Sequence, residues 1–184
     1  MQNLLQIIEG CYRHDRQSQR SLYERYYANL LRIAFRYLDS YEESVELTND
    51  TFLWIFRHFS SFRQVGKNNA DLYLTEWVKT NMLDAIIQNI KAKIGNCQSD
   101  YIRESFRVRN QLFPETPALY GELVTTIREL PPVVRATFNL HVIDRYPPDK
   151  IAHLLGISQK TISSYIQEAR KFCLKCFVAE KVEN

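Results

Sequence analysis

Glycine and proline are scarce in this sequence, and their scarcity argues against folds that depend on many tight turns. The 184 residues include five Gly and six Pro, and long stretches contain neither. The alternation of polar and apolar residues that marks a half-buried strand is lacking as well. Apolar residues instead recur three to four positions apart, as in a helix with one buried face. With 45% hydrophobic residues, the chain is predicted to be all-α, with one large or two small domains.

Long apolar runs are also lacking. No run approaches the roughly eighteen apolar residues that a membrane-spanning helix needs, so no membrane insertion is expected. The first residues, MQNLLQIIEGCYRHD, lack the basic flank and apolar core of a secretory signal. The cysteines are scattered rather than spaced as a disulfide framework: Cys11, Cys97, Cys173 and Cys176. These features predict a cytoplasmic protein with reduced thiols.

Sequence motifs for catalysis and for phosphate or metal binding are missing too. The sequence has no glycine-rich phosphate-binding loop and no recognisable nucleophile motif. Cys173 and Cys176 have the spacing of a metal-binding pair, but no second pair and no nearby His accompanies them. We therefore expect no catalytic residue, no metal site and no cofactor, and we predict that the protein is not an enzyme.

Positive charge is in small surplus and is unevenly placed. The formal net charge is +3. Residues 130–184 hold eight Lys or Arg and five Asp or Glu, whereas residues 1–129 hold sixteen of each kind. The surplus thus lies in the C-terminal part, where it would attract phosphate, although +3 is modest for a nucleic-acid-binding protein.

A helix–turn–helix pattern begins at Pro147. Pro147 and Pro148 start a short predicted helix, and Gly156 ends it, because Gly takes the left-handed conformation at little cost. Ser158 is placed to accept from the free N–H groups of a second helix that starts at Gln159. The apolar face of the first helix is formed by Ile151, Leu154 and Leu155. An ordinary pair of packed helices is the alternative explanation.

The second predicted helix has an apolar side and a side rich in hydrogen-bonding groups. Its inward residues are Ile162, Ile166, Ala169 and Cys173. Such a helix enters the major groove of DNA and reads base edges, while the helix before it crosses the phosphate backbone. Base contacts are predicted for Gln159, Lys160, Ser163, Ser164 and Gln167. Phosphate contacts are predicted for Arg170 and Lys171.

The N-terminal part is predicted to be a helical bundle followed by a linker. A short apolar helix begins near Leu4, and longer helices are predicted at residues 15–38, 41–59 and 72–94. The periodicity weakens after Gly95, as in an interdomain linker. A further helix is then predicted to end at a break, Pro131–Pro132. The predicted domains are residues 1–94 and 117–184, with the linker at 95–116.

Charged residues on the second and third predicted helices have more than one explanation. For the second helix, core packing by its tyrosines, with its arginines in solvent, is favoured over nucleic-acid binding. These arginines are Arg25, Arg32 and Arg36. The third helix is acidic in its first half, where the helix dipole favours negative charge. Asp50 lies late for this effect, and an exposed Trp54 would need a partner.

Two blocks of the sequence, in this order, resemble the extracytoplasmic-function group of bacterial RNA polymerase sigma factors. The first block is similar to the family's acidic-Leu-x-x-acidic-Thr-Phe helix, which docks on the polymerase clamp. It consists of residues 43–52, Glu-Ser-Val-Glu-Leu-Thr-Asn-Asp-Thr-Phe, followed by Trp54, Phe56, Arg57 and Phe59. Residues 130–170 are similar to the domain that reads the promoter's minus-35 element. The resemblance implies a region 2-like first domain and a region 4-like second domain. It also implies polymerase contacts by Glu46, Asn49, Asp50 and Leu53.

In members of the family, the segment between these two blocks melts and recognises the minus-10 element and holds an unstacked base in a protein pocket. By the resemblance, the contacts to this element are Gln64, Lys67, Asn68, Asn69 and Trp77. The family's fourth helix typically reads Trp-Leu-x-x-Ile-Ala-Arg-Asn. Residues 77–84 read Trp-Val-Lys-Thr-Asn-Met-Leu-Asp, so the Trp is kept and the Arg-Asn pair is lost.

The residues and the resemblance together predict an extracytoplasmic-function sigma factor. Its implied partners are core RNA polymerase, promoter DNA and an anti-sigma protein. Two alternatives stay open. A stand-alone helix–turn–helix regulator would form dimers and prefer palindromic sites. A sigma-like adaptor would bind polymerase without melting promoters, as the missing Arg-Asn pair allows.

Overall fold

The computed structural model describes residues 3–62, 69–96 and 118–179. All regular secondary structure in these ranges is helical, which confirms the predicted all-α class. The α-helices described are α1 (Leu4–Tyr12), α2 (Arg16–Tyr37), α3 (Tyr41–Arg57), α4 (Ala70–Asn96), α5 (Ala118–Arg128), α6 (Pro132–Phe138), α7 (Pro148–Leu155) and α8 (Gln159–Ala179). A 3₁₀ turn, Phe59–Ser61, follows α3, and a π turn, Asn139–Ile143, follows α6.

The residues fall into two compact units. Unit 1 contains Met1–Ala34 and Glu42–Ile86, and unit 2 contains Phe35–Tyr41 and Ile87–Asn184. The division falls inside α2 and inside α4, so the last turn of α2 belongs with the C-terminal helices. Most of the predicted linker at 95–116 lies outside the described residues, and the predicted domain bounds stay a prediction.

Side-chain caps fix where the first two helices of unit 1 begin. Asn3 and Gln6 form a reciprocal capping box, in which each side chain accepts from the other residue's N–H at 3.0 Å. Asp15 caps α2, because its carboxylate accepts from the N–H of Ser18 at 2.8 Å and from the Ser18 hydroxyl at 2.7 Å. These bonds from Ser18 lower the pKa of Asp15. Gly10 leaves the space that Ser18 occupies.

Unit 1 has an apolar core supplied by α2, α3 and α4. Side chains recurring three or four positions apart along each helix are buried, as the sequence periodicity predicts. Those exposed by no more than 1% include Leu22, Phe52, Ile55, Leu74, Val78, Met82 and Ile86. Full burial of one such side chain contributes about 1.5–3 kcal/mol to stability. The hydrophobic effect therefore holds this unit together.

The predicted break at Pro131–Pro132 separates α5, which ends at Arg128, from α6, a helix that was not predicted. Pro132 occupies the first position of α6, where its missing N–H has no helical partner to lose and its fixed φ suits the helix. All residues from 131 to 140 are buried. Helix α6 packs on α8, and one core cluster joins Ile127, Leu130, Val134, Phe138, Ala169 and Cys173.

The prediction that Arg36 lies in solvent is wrong. Arg36 is 6% exposed, and its Nη2 lies 3.4 Å from Oδ2 of Asp144. The Tyr37 hydroxyl donates to the same carboxylate oxygen at 2.6 Å. Because the last turn of α2 belongs to unit 2, this arginine meets a carboxylate there instead of water. Burial, followed by the neighbouring Asp144, raises the pKa of Tyr37 well above its usual value.

Candidate nucleic-acid and protein interfaces

The turn between α7 and α8 has the geometry predicted for it. Gly156 has a φ of 70° in the left-handed region, and the Ile157 N–H donates to the Ala152 carbonyl at 3.1 Å. The Ser158 hydroxyl oxygen accepts from the N–H of Thr161 at 3.1 Å. The turn thus closes α7 and caps α8, so the two helices form a helix–turn–helix.

Helix α8 presents one side to the core and another to solvent. Its buried residues are the predicted inward ones, Ile162, Ile166, Ala169 and Cys173. The seven residues predicted to contact DNA are all exposed, namely Gln159, Lys160, Ser163, Ser164, Gln167, Arg170 and Lys171. At 100° per residue, they fall within about 140° of arc on the helix. The five residues predicted to contact bases therefore lie toward the N-terminal end of this surface. The two predicted to contact phosphate, Arg170 and Lys171, lie further along the helix.

Two exposed positive residues near α7 were not among the predicted contacts. Arg145 has a φ of 60°, in the left-handed region. Lys150 lies in the first turn of α7, with its Nζ 4.3 Å from the centroid of the Tyr146 ring. Because the first helix of a helix–turn–helix crosses the phosphate backbone, basic residues at α7 are candidates for phosphate contacts. The sequence already held this signal in the charges that flank Pro147–Pro148.

A single face of α3 carries all four residues predicted to meet polymerase. Glu46, Asn49, Asp50 and Leu53 are exposed and recur at the three- and four-residue spacing of one helical face. The Asn49 side-chain oxygen accepts from the Tyr23 hydroxyl at 3.0 Å. Tyr23 in turn packs against the ring of Phe52 at 4.7 Å between centroids. This face of α3 therefore contacts α2 through Asn49. The carboxylates of Glu46 and Asp50 lie on either side of that contact along the helix.

An exposed aromatic residue extends this face of α3. Trp54 is 45% exposed and stacks on His58 with 4.3 Å between ring centroids and 20° between planes. His58 Nδ1 lies 2.9 Å from the Trp54 carbonyl oxygen. His58 is thus the ring partner that the sequence did not identify. Trp54 and Leu53 together form an exposed apolar edge beside the acidic residues of α3.

The predicted minus-10 contacts fall in different places. Three of them, Gln64, Lys67 and Asn68, lie outside the described residues. Asn69 is exposed, and its carbonyl accepts from the Tyr73 N–H at 3.1 Å at the start of α4. Trp77 is half-buried and packs between other aromatic rings of unit 1.

Exposed apolar side chains also occur on the first turn of α4. Leu72 is 61% exposed and Tyr73 is 38% exposed. Neither residue was predicted to stack on a base, although both fall outside the buried stripe that begins at Leu74. An exposed aromatic ring such as that of Tyr73 is suited to stack on an unpaired base.

Comparison with known families bears on both surfaces. A model of Sigma-70 region 2 matches residues 22–89, and a model of Sigma-70, region 4 matches residues 120–173. The chain belongs to the sigma-70 family. The two matches support a sigma factor of the extracytoplasmic-function type. A search of the curated proteins gave no match.

This sigma-70 family factor carries each candidate surface inside a matched region. The acidic face of α3 lies in the region 2 match, and the helix–turn–helix lies in the region 4 match. Sigma factors act in promoter recognition and transcription initiation and are not themselves enzymes. Helix α1 precedes both matches. None of the described helices combines the length and apolar composition that crossing a bilayer requires.

The sigma factor departs from its family on α4. The positions of the typical Arg-Asn pair hold Leu83 and Asp84. Leu83 is buried and 2% exposed, so this position is part of the core. Asp84 is exposed and brings negative charge. Neither residue supplies the positive donor that phosphate binding would use.

Proposed function

We propose that this sigma-70 family protein is an extracytoplasmic-function sigma factor that binds core RNA polymerase and directs it to specific promoters. The observation that carries the proposal is the set of four exposed residues on one face of α3, in a chain that also holds an intact helix–turn–helix. A stand-alone regulator needs the helix–turn–helix to bind DNA, but it does not need an acidic face on α3 that binds polymerase. Because core polymerase is the proposed partner, the cytoplasm is the proposed compartment.

The polymerase surface consists of Glu46, Asn49, Asp50 and Leu53. Carboxylates steer association with a basic partner. The half-exposed Leu53 supplies the apolar contact that such a patch needs at its centre. Trp54 lies next to Leu53 and adds an aromatic side chain of the kind enriched at protein interfaces. An anti-sigma protein that covers this face would keep the factor inactive, and we propose such a partner.

Promoter recognition is divided between the two matched regions. In the minus-35 element, Gln159, Lys160, Ser163, Ser164 and Gln167 contact bases. Arg170 and Lys171 contact phosphate, with Lys150 on the neighbouring helix as a further phosphate contact. In the minus-10 element, the contacts are Gln64, Lys67, Asn68, Asn69 and Trp77. Tyr73 on the exposed side of α4 joins them as a stacking surface for an unpaired base.

A sigma-like adaptor that binds polymerase without melting DNA is the second candidate. It is favoured by the burial of Leu83 and the negative charge of Asp84 at the family's Arg-Asn positions. It is also favoured by the packing of Trp77 against Phe59 and Phe62. The two functions share polymerase binding and differ in open-complex formation.

Co-purification with bacterial core RNA polymerase tests the shared step. We expect Asp50→Arg to weaken binding about tenfold or more, because it places a cation where the partner is basic. Glu76→Arg on the exposed side of α4 reverses charge in the same unit and should bind like the wild type. Equal binding by wild type and Asp50→Arg would reject this face as the polymerase surface. Permanganate reactivity of promoter thymines then separates the sigma factor from the adaptor.

Two single substitutions on α8 test the minus-35 reader. Lys160→Ala should cost about 1–3 kcal/mol of binding at one base position and relax the preference there. Lys171→Ala should weaken all sequences alike and lower the salt dependence of binding. Titration of duplexes substituted at each position measures both. A uniform loss for Lys160→Ala would remove Lys160 from the base contacts.

A further inference from the structure

One row of exposed side chains runs along α3 at a spacing of four residues. It consists of Glu46, Asp50, Trp54 and His58, the last of which lies just beyond the end of the helix. Side chains four positions apart on a helix lie one above the other on the same face. The His58 N–H donates to the Trp54 carbonyl at 3.0 Å, so the helical hydrogen-bond pattern continues through His58. In this row, Trp54 therefore lies between a carboxylate and an imidazole.

Two contacts fix the ring of His58 against Trp54. The two rings are stacked, with 4.3 Å between centroids and 20° between planes. Nδ1 of His58 lies 2.9 Å from the Trp54 carbonyl oxygen, and because a carbonyl oxygen only accepts, Nδ1 carries the hydrogen of this bond. The imidazole is thus bound at one edge while its face lies against the indole.

Termination of α3 does not account for these contacts. A histidine near a helix C-terminus can donate to one of the last carbonyls, which have no partner within the helix. The Trp54 carbonyl already accepts from the His58 N–H, so it does not depend on the imidazole. The core gains little either, because Trp54 is 45% exposed and His58 is exposed. The stack orders a large aromatic side chain that stays at the surface.

We propose that His58 is a positioning residue for polymerase binding, and that it holds the Trp54 indole in the orientation in which the indole contacts core RNA polymerase. The proposal rests on the proposed function. Glu46 and Asp50 in the same row favour a basic partner, and an aromatic residue beside them is of the type that dominates binding energy at interfaces. Immobilising a side chain on binding lowers affinity. The stack on His58 removes part of this cost before the partner binds.

A double-mutant cycle of Trp54→Ala and His58→Ala tests the proposal through the affinity of the full-length protein for core RNA polymerase. We expect Trp54→Ala to weaken binding about tenfold or more, as loss of an aromatic anchor does. His58→Ala should weaken it about two- to tenfold, the effect of having to order one side chain on binding. The double variant should bind like Trp54→Ala alone, because His58 acts only through the indole. Additive losses, or no loss from either single variant, would overturn the proposal.

His58→Phe separates ring stacking from the other properties of histidine. Phenylalanine keeps a ring that stacks on the indole, so it should recover most of the affinity that His58→Ala loses. Arg20→Ala is the matched control, because it removes an exposed contact over four positions on α2, between Arg20 Nε and Glu24 Oε1 at 2.7 Å. It should bind like the wild type. A His58→Phe variant that binds no better than His58→Ala would overturn the proposal, as would a loss from Arg20→Ala equal to that from His58→Ala.

The mobility of the indole gives a readout that does not depend on polymerase. The chain has two tryptophans, Trp54 and Trp77, so fluorescence from a Trp77→Phe background reports on Trp54. We expect the decay of fluorescence anisotropy to show faster local rotation of Trp54 with His58→Ala than with His58 or with His58→Phe. Equal rotation in all three proteins would contradict the positioning role.

Asp50→Arg, measured in the same binding assay, distinguishes failure of this inference from failure of the proposed function. If Asp50→Arg weakens binding but the His58 variants do not, this face of α3 binds polymerase and His58 does not position Trp54. If the wild type binds no core polymerase, or if Asp50→Arg binds equally well, the proposed polymerase surface is refuted and the role of His58 with it.

Discussion

The interior of unit 1 is apolar and aromatic apart from a few small hydroxyl side chains, whereas the interior of unit 2 contains three arginines, Arg36, Arg128 and Arg135. Arg128 and Arg135 are each 2% exposed. Arg128 donates to the carbonyls of Leu38 and Asp39, both at 2.9 Å, and to that of Phe35. Its guanidinium carbon lies 3.8 Å from the centroid of the Phe35 ring. The charge is therefore shared among oxygens and a ring face instead of being solvated.

Arg135 completes the same network. Its Nε donates to the Tyr37 carbonyl at 3.0 Å, and one Nη donates to the Arg128 carbonyl at 2.8 Å. The other Nη binds the Asp39 carboxylate. The Asn139 side-chain amide adds a bond to the Arg36 carbonyl at 3.0 Å. These donors satisfy the last carbonyls of α2, which have no partner within the helix, and place positive charge at the negative end of its dipole.

The two interiors should differ in how well they tolerate substitution of a buried side chain. Apolar contacts are non-directional, so a side chain of similar volume can replace another at modest cost. A buried guanidinium has partners at fixed positions, and its loss leaves several buried oxygens without donors. Unit 1 should therefore accept conservative changes of its buried side chains, while unit 2 should not accept them at its buried arginines.

The largest expected effect comes from a pair of substitutions to the same residue. Arg128→Met should lower the free energy of unfolding by about 3–5 kcal/mol, because it removes the donors of a buried charged network. Leu74→Met in unit 1, where Leu74 is fully buried, should cost less than about 1.5 kcal/mol. Equilibrium denaturation in urea measures both. Equal costs would show that the two interiors do not differ in the proposed way.

Two glycines, one in each unit, test the comparison between the units through substitutions whose expected stability losses are intermediate in size. A Cβ at Gly10 would lie 1.9 Å from Ser18 Oγ and 2.5 Å from Ser18 Cβ. Gly10→Ala should therefore displace the residue bound to the Asp15 cap and cost about 1–3 kcal/mol. Adding Ser18→Gly should recover part of the loss, since it removes the colliding atoms. Thermal unfolding of the single and double variants checks this, and a double variant no more stable than Gly10→Ala would contradict it.

Gly156 in unit 2 is required for a different reason. A Cβ there meets no atom within 4 Å, but its φ is +70°. Gly156→Ala should cost about 1–2 kcal/mol from backbone conformation alone. Gly156→Asn should cost less, since Asn tolerates the left-handed region. Thermal unfolding of the two variants provides the measurement, and equal losses would point to packing instead of φ.

The smallest effect concerns pH and the edge of the arginine network. Burial raises the pKa of Asp39, but Arg135 and Lys93 lower it by more, so the pKa lies below its usual value. A lowered pKa means that the stabilisation is complete above the unfolded value of about 3.9 and is lost as pH falls through the folded value. The carboxylate is half-exposed, so Asp39→Asn should cost less than about 1 kcal/mol at pH 7.

The stability difference between wild type and Asp39→Asn should shrink as the pH is lowered from 7 to about 3. Urea denaturation at each pH gives this difference. A gap that widens on acidification would mean that Asp39 is held protonated in the folded protein, contrary to the direction of its pKa.

Sequence periodicity predicted much of unit 1 and of α8, because the burial of apolar side chains decides the structure of both. Apolar residues at helical spacing are buried wherever a partner helix lies, as at Phe52 and Ile55 on α3. The turn at Gly156 and the cap at Ser158 were predictable because each residue type suits one local conformation. The exposure of the candidate contacts on α8 follows from the same pattern.

The network in unit 2 was not predictable from the sequence by the same reasoning. Arginine is ordinarily exposed, and nothing in the residues around Arg128 or Arg135 indicates a partner about ninety positions earlier. Helix α6 was not predicted, because Pro131–Pro132 was considered only as the end of the helix before it, whereas Pro132 also begins a helix. The sequence did not assign Trp77 to a single role, because an aromatic residue at helical spacing suits a core and a base-stacking surface alike.

Most partners of these arginines are main-chain oxygens, and that has a consequence for reading relatives of this chain. A carbonyl is present whatever residue occupies its position, so substitutions at Tyr37 or Leu38 remove none of the acceptors of Arg128 or Arg135. Co-varying positions are a common sign of spatial contact, yet this junction would show few. The exceptions are the bond between Arg135 and the Asp39 carboxylate and the packing of Arg128 on the Phe35 ring. Across evolution, the most tightly bound part of unit 2 would leave two correlated pairs to mark it.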